Sequence, residues 1–232
     1  MATRKSIRLC LLAAFLAIIS GLVFGVSSAL AQDNAFQAAA QGLKLFLNAI
    51  PEGREPALGF GDRAEFDLAY LGNPYEMYTI HPDRLASAEG SGDKIILSLK
   101  QFRFPILCNG KIRALLNVAE VNSEMEAVGI GAANLASAIE RIENSIPSSG
   151  GFSRRILLRL YQLRIDFIGY FQEGQSLEKG LFIPLPSALA LIGAEPEEII
   201  FYSYPQMLNL VRGKFAELPE SLKGDYKNGE ER

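Results

Sequence analysis

The sequence predicts an α+β fold, in which an antiparallel sheet of about five to seven strands packs against N-terminal, central and C-terminal helices. One observation predicts the sheet: apolar residues occupy alternate positions in two runs separated by Asn109-Gly110. An Asn-Gly pair between such runs is the strongest short-range sign of a β-hairpin, because both central residues of a type I′ turn need positive φ. A second observation predicts the helices: elsewhere apolar residues recur at three- and four-residue spacing.

The helical spacing occurs in three long segments. The first covers residues 34–49 and ends before Pro51, the second follows residue 132 and ends at Pro147, and the third follows Ser203. A shorter helix is expected over residues 186–192, where Gly193 would end it.

Several shorter runs complete the predicted sheet. Further strands are expected at residues 75–80, 94–100, 125–130 and 181–183.

Two segments are ambiguous. Residues 154–171 fit a bulged strand or an amphipathic helix, and we favour the strand. Residues 54–72 combine an Asp62 and Glu65 capping pattern, typical of a helix, with the alternation of a strand.

The N-terminus has the pattern of an export signal. Three basic residues precede an apolar run over residues 9–26, and Ala29-Leu30-Ala31 supplies the small residues of a cleavage site. We expect residues 1–31 to be a signal peptide cleaved after Ala31, although the run is also long enough for an uncleaved membrane anchor. The protein is therefore expected to be exported, either periplasmic or secreted.

The remaining chain is predicted to form a single α+β domain over residues 32–218. Ser148-Ser149-Gly150-Gly151 is a linker candidate that would divide this domain near residues 148–151. Residues 219–232 contain few apolar side chains and are predicted to be a mobile tail.

Composition limits the partners. The chain has 232 residues, with 23 Lys and Arg against 26 Asp and Glu, and the predicted signal contributes three of the basic ones. A nucleic-acid partner is disfavoured, because phosphate binding needs a concentrated basic surface. Contact with a membrane is expected only through the N-terminal segment, if that segment is retained.

The sequence lacks the residues that the commoner catalytic and metal centres require. Once residues 1–31 are removed, Cys108 is the only thiol and His81 the only imidazole, too few for the usual zinc sites. Cys108 shares its alternation with apolar residues, which predicts a buried, inert thiol. We therefore expect no metal and no cofactor. Acidic groups remain available for a carboxylate mechanism: Glu197-Glu198, or Asp62 with Glu65 and Asp67.

One glycine motif resembles a dinucleotide fingerprint. Gly129-Ile130-Gly131-Ala132-Ala133-Asn134 connects a predicted strand to a predicted helix, but Asn134 replaces the third glycine. The preceding strand also belongs to an antiparallel meander, whereas the fingerprint occurs in a parallel βαβ unit. A tight strand-to-helix turn is the favoured interpretation.

Tyrosines near predicted element ends are the candidate binding residues, because tyrosine combines a large contact area with a polar tip. The candidates are Tyr70, Tyr75, Tyr78, Tyr161 and Tyr170. Alternatively, they fill the core of a chain that has no Trp. The sequence thus predicts an exported, non-catalytic binding or scaffold protein of the cell envelope, whose partner is another envelope protein or a small ligand. The alternatives are a carboxylate-based, glycoside-processing hydrolase and, less favoured, a nucleotide-binding domain.

Overall fold

The computed structural model describes residues 31–86, 95–146 and 151–219. Within them the chain forms a nine-stranded sheet in the order β5-β4-β3-β2-β6-β7-β8-β9, with β1 paired to β3. The strands are β1 Tyr70–Leu71, β2 Tyr75–Ile80, β3 Ile96–Cys108, β4 Lys111–Val121, β5 Glu124–Gly131, β6 Phe152–Leu160, β7 Ile165–Gln172, β8 Leu181–Pro184 and β9 Tyr202–Ser203.

Helices flank the sheet on both sides. Residues 31–48 are helical and are termed α1. The others are α2 Pro82–Ala86, α3 Ala133–Ser145, α4 Pro186–Ile192 and α5 Tyr204–Ala216, with 3-10 helices at Glu55–Leu58, Arg63–Leu68 and Leu177–Lys179. The predicted α+β class is therefore confirmed, with a strand count higher than expected.

The sheet consists of two antiparallel meanders. Strands β2 to β5 form the first and β6 to β9 the second, and the parallel pair β2–β6 joins them. The sheet is thus mixed, whereas the sequence predicted an antiparallel one. The reason is a crossover: the chain leaves the edge strand β5 through α3 and re-enters beside β2 in the same direction, and parallel neighbours require such a connection.

Alternating side chains divide the core between the two faces. We call the face that bears Tyr78 and Ile156 face A, and the face that bears Tyr75 and Leu157 face B. On face A, α1 packs over the first meander and α5 over the second. On face B, α3 packs through Ala136, Ile139 and Ile142.

Local signals account for most element ends. Asn109 and Gly110 have φ of 52° and 74°, which confirms the predicted turn. Gly193 ends α4 with φ 73°, and Ser203 forms a capping box with Gln206 at the start of α5. Asp62 caps the 3-10 helix Arg63–Leu68. Within the ambiguous segment 54–72, these residues are therefore helical and not extended.

The ambiguous segment 154–171 is extended, as favoured, but it is two strands instead of one bulged strand. Residues 161–164 form a turn between β6 and β7, and Arg164 has φ 54°. The change of parity that resembled a bulge is therefore a hairpin turn. Ile168 of β7 then pairs with Ile183 of β8.

Some predictions fall outside the described residues. These are the signal sequence up to residue 30, the linker residues 148–150, and the tail from residue 220. Among the helices that are described, none has both the length and the apolar character needed to cross a membrane.

The Asn109-Gly110 turn yields a stability prediction. Gly110→Val places a β-branched residue at φ 74° and should lower the free energy of unfolding by about 1–2 kcal/mol. Gly213 lies inside α5, and a Cβ there meets no atom within 4 Å. The control Gly213→Ala should therefore raise that free energy by up to about 1 kcal/mol. Urea denaturation checks both, and an unchanged midpoint for Gly110→Val would contradict the turn.

Candidate functional site

The five candidate tyrosines do not share one exposed face. Tyr75, Tyr78 and Tyr170 are buried, Tyr70 is half exposed, and Tyr161 is partly buried. Tyr75 and Tyr170 lie on face B, whereas Tyr78 lies on face A. For the three buried residues, the core role therefore describes their position better than an exposed contact surface does.

Two of the buried tyrosines share a carboxylate. Glu143 of α3 reaches down to face B, where its Oε1 atom accepts hydrogen bonds from the Tyr75 hydroxyl and, at 3.1 Å, from the Tyr170 hydroxyl. Arg155 Nη1 lies 2.8 Å from the same oxygen, and the guanidinium stacks 5.1 Å from the centre of the Tyr75 ring. Burial, followed by the charge of Glu143, raises the pKa of both Tyr75 and Tyr170. The cluster is fully paired, which indicates a structural role.

Tyr78 belongs to a separate cluster on face A. Arg154 Nη2 donates a hydrogen bond to the Tyr78 hydroxyl and another, of 3.0 Å, to Glu76 Oε2. Burial and the nearby Glu76 charge raise the pKa of Tyr78. Arg154 also lies 5.8 Å from the centre of the Phe171 ring. This cluster ties β2 to β6 at their parallel boundary.

Tyr161 marks a third charged cluster, at the β6–β7 turn. Its ring lies 5.7 Å from the Arg159 guanidinium, and Arg159 Nε lies 3.1 Å from Asp166 Oδ1. Burial raises the pKa of Asp166 despite the opposing charges of Arg159 and Arg103. Burial, followed by the charge of Arg159, lowers the pKa of Arg103 of β3.

A groove of about 520 Å³ lies between α1 and the β4–β5 hairpin. The α1–hairpin groove, as we term it, is lined by Ala31, Asn34, Gln37, Ala38, Gln41, Glu120, Ser123, Glu124 and Met125. Its shape depends on how closely α1 crosses β5: a Cβ on Gly42 would collide with the Ala127 Cβ. A glycine at that crossing lets the helix lie directly on the edge strand.

Of the two carboxylates that line the groove, one forms an ion pair and the other does not do so with any described residue. Lys100 Nζ lies 3.2 Å from Glu120 Oε2, which neutralises that carboxylate. Glu124 is exposed and makes no side-chain hydrogen bond or ion pair with any described residue. The groove therefore has a local excess of negative charge.

The residues that the sequence offered for catalysis either form hydrogen bonds or ion pairs within the protein or lie apart from one another. Cys108 is buried, as predicted, and its thiol lies 3.5 Å from the Glu65 carbonyl oxygen. His81 Nδ1 lies 3.5 Å from Asp83 Oδ2. Glu65 is held by Arg113 at 2.9 Å, and Asp62 caps a 3-10 helix. The pair Glu197-Glu198 lies in an exposed loop. In the described ranges, no three His, Cys, Asp or Glu residues are grouped to hold a metal ion.

The glycine motif has the local form of a tight turn. Gly129 and Gly131 belong to β5, Ala132 has φ 60°, and α3 follows. Strands β5 and β6 on either side of α3 run in opposite directions, so the parallel βαβ unit of a dinucleotide site does not form here.

The sequence did not predict the groove or the roles of Glu143 and Arg103. The groove depends on a helix crossing between distant segments and leaves no local pattern. Glu143 resembles any exposed helix glutamate. Arg103 carried a weak signal, because it is the one charged residue in the otherwise apolar run 102–108.

Comparison of the chain with protein-family models, with curated proteins and with solved structures found no match.

The Glu143 cluster predicts loss of stability at alkaline pH. Tyr75 and Tyr170 have a raised pKa in the folded state and ionise near the ordinary value of 10.0 when unfolded. Their contribution is therefore complete below about pH 9 and is lost progressively as the pH rises above 10 toward the raised pKa of the folded state. Each should steepen the fall in unfolding free energy by up to about 1.4 kcal/mol per pH unit.

Urea denaturation between about pH 7 and 11.5 measures this effect. In the double variant Tyr75→Phe and Tyr170→Phe, the free energy of unfolding should fall less steeply above pH 10. From pH 7 to 8 its pH dependence should match that of the original chain, which serves as the internal control. Identical slopes above pH 10 would show that these hydroxyls do not govern the alkaline transition.

Proposed function

We propose that this chain is an exported, non-catalytic binding protein of the cell envelope, and that the α1–hairpin groove holds a segment of a partner envelope protein. The observation that carries the proposal is the groove itself. At about 520 Å³ it falls within the size range of ligand sites. All of its lining residues except Ala31 follow the expected signal cleavage site.

The lining suits an extended peptide. Asn34, Gln37 and Gln41 present side-chain amides along α1, and each amide can both donate and accept hydrogen bonds, as a peptide backbone requires. Met125 provides an apolar surface that adapts to different side chains. The combination favours backbone recognition with a modest apolar contact.

Charge favours a basic occupant. Glu120 is already paired with Lys100, whereas Glu124 has no partner in the described part of the chain. A lysine or arginine on the bound segment would complement Glu124 and would accelerate association. We therefore expect the partner segment to carry at least one positive charge near the hairpin.

Site-specific photo-crosslinking in cells that express the full chain tests the proposal. A photoreactive residue at Gln37, inside the groove, should yield an adduct of defined mass. The same residue at Leu45, which is 71% exposed on the same helix but outside the groove lining, is the matched control and should yield none. Equal adducts from both positions, or none from either, would overturn the proposal.

Reversal of the charge at Glu124 provides a second test of the groove. Glu124→Lys should reduce the Gln37 adduct several-fold, because it replaces attraction by repulsion at the groove. Glu197→Lys makes the same change at an exposed loop position outside the groove and should leave the adduct unchanged. Equal losses in both variants would point to nonspecific electrostatics and would count against the groove.

The glycoside-processing hydrolase is the second candidate, because Glu120 and Glu124 line the same groove. Such enzymes place two carboxyl groups on either side of the scissile bond. The ion pair with Lys100 weakens this alternative by occupying Glu120. The purified chain should not hydrolyse aryl glycosides. Turnover that Glu124→Gln abolishes would instead establish the hydrolase.

A further inference from the structure

Strand β5 forms a long edge of the sheet. It pairs with β4, and no other described strand pairs with its outer side. The opposite edge strand, β9, has only two residues, whereas β5 has eight and contains no proline. Short edge strands and prolines are common protections against pairing with another chain. The β5 edge therefore has the length and the composition to accept a further strand.

The turn before β5 determines which backbone groups face outward. Asn122 and Ser123 have φ of 51° and 70°, as in a two-residue type I′ turn. The residues that flank such a turn exchange backbone hydrogen bonds, and the direction of these groups then alternates along the strand. Regular pairing with β4 continues as far as Ala127, after which the register shifts. The N–H and C=O groups of Met125 and Ala127 are therefore directed to the outer edge.

The charges on β5 favour a basic partner strand. Glu124 and Glu126 are both exposed, and neither forms an ion pair or a side-chain hydrogen bond with any described residue. Because side chains alternate along a strand, the two carboxylates lie on the same side of β5. Lysine or arginine at alternate positions of an added strand would form favourable cross-strand pairs with them. A second copy of this chain would instead bring two more carboxylates to the same edge.

We propose that the partner segment adds to the outer edge of β5 as a further strand, with lysine or arginine at alternate positions. This inference rests on the proposed function, because it assigns a conformation and a charge pattern to the segment that the α1–hairpin groove holds. Met125 connects the two surfaces, since it lines the groove and its backbone groups face the β5 edge. Main-chain hydrogen bonds would supply affinity, and the charged side chains would supply specificity.

Photo-crosslinking from the two edges of the sheet, in cells that express the full chain, tests the inference. A photoreactive residue at Val128, which is 50% exposed on β5, should yield an adduct of the same mass as the Gln37 adduct. Phe201 is the matched control: it is 51% exposed, directly precedes β9 at the opposite edge, and should yield none. Peptide mapping of the Val128 adduct should identify a partner segment with lysine or arginine at alternate positions.

The outcomes separate this inference from the proposed function. An adduct from Gln37 without one from Val128, or equal adducts from Val128 and Phe201, would overturn strand addition and leave the groove proposal intact. An adduct with the mass of two copies of this chain, or a crosslinked segment without basic residues, would overturn the assigned partner. An adduct from Val128 alone would overturn the groove proposal and the claim that one segment contacts both surfaces.

Substitutions at Met125 isolate the backbone contribution. Met125→Pro removes an N–H that faces outward and leaves the hydrogen bonds to β4 in place, a change that edge strands tolerate. Met125→Ala keeps this N–H and removes the side chain from the groove. The Gln37 adduct should fall several-fold further in Met125→Pro than in Met125→Ala, and equal yields would contradict strand pairing. Cooperative thermal unfolding of purified Met125→Pro would show that the fold is retained; without it, the comparison of Val128 with Phe201 decides.

Discussion

The parallel pairing of β2 with β6 is the contact on which the rest of the molecule depends. Each meander pairs internally with its neighbours in sequence, but only three register pairs across this boundary, starting at Glu76 with Ile156, make them one sheet. Parallel pairing is slightly less stable per residue than antiparallel pairing. Side-chain contacts reinforce it here, with Arg154 binding Glu76 on face A and Arg155 stacking on Tyr75 on face B.

The same boundary explains why charged side chains lie inside this sheet. Strands in the centre of a sheet have both faces covered, so a polar residue there must find a partner or incur a desolvation cost. Glu143 supplies such a partner from α3 to two hydroxyls and one guanidinium, and Asp166 supplies one to Arg159. Arg103 lies on the same face, and none of the described residues forms a hydrogen bond or ion pair with its guanidinium.

The α1–hairpin groove offers amide side chains, a methionine and Glu124, which has no ion-pair partner among the described residues. We proposed above that this combination suits a peptide segment. The groove depends on the contact between α1 and the β4–β5 hairpin, two elements that are distant in sequence.

The sequence alone determined every feature that depends on near neighbours. Asn109-Gly110 fixed a hairpin, Gly193 fixed a helix end, and Ser203 fixed a helix start, because backbone φ and capping act over a few residues. It also predicted that Cys108 would be buried, through simple alternation. Only the tertiary structure decided that β6 joins β2 in parallel, that Tyr75 and Tyr170 share Glu143, and that α1 crosses β5 at Gly42. Those outcomes depend on which distant strands become neighbours, and long-range pairing is chosen by the packing of whole faces, which no local pattern records.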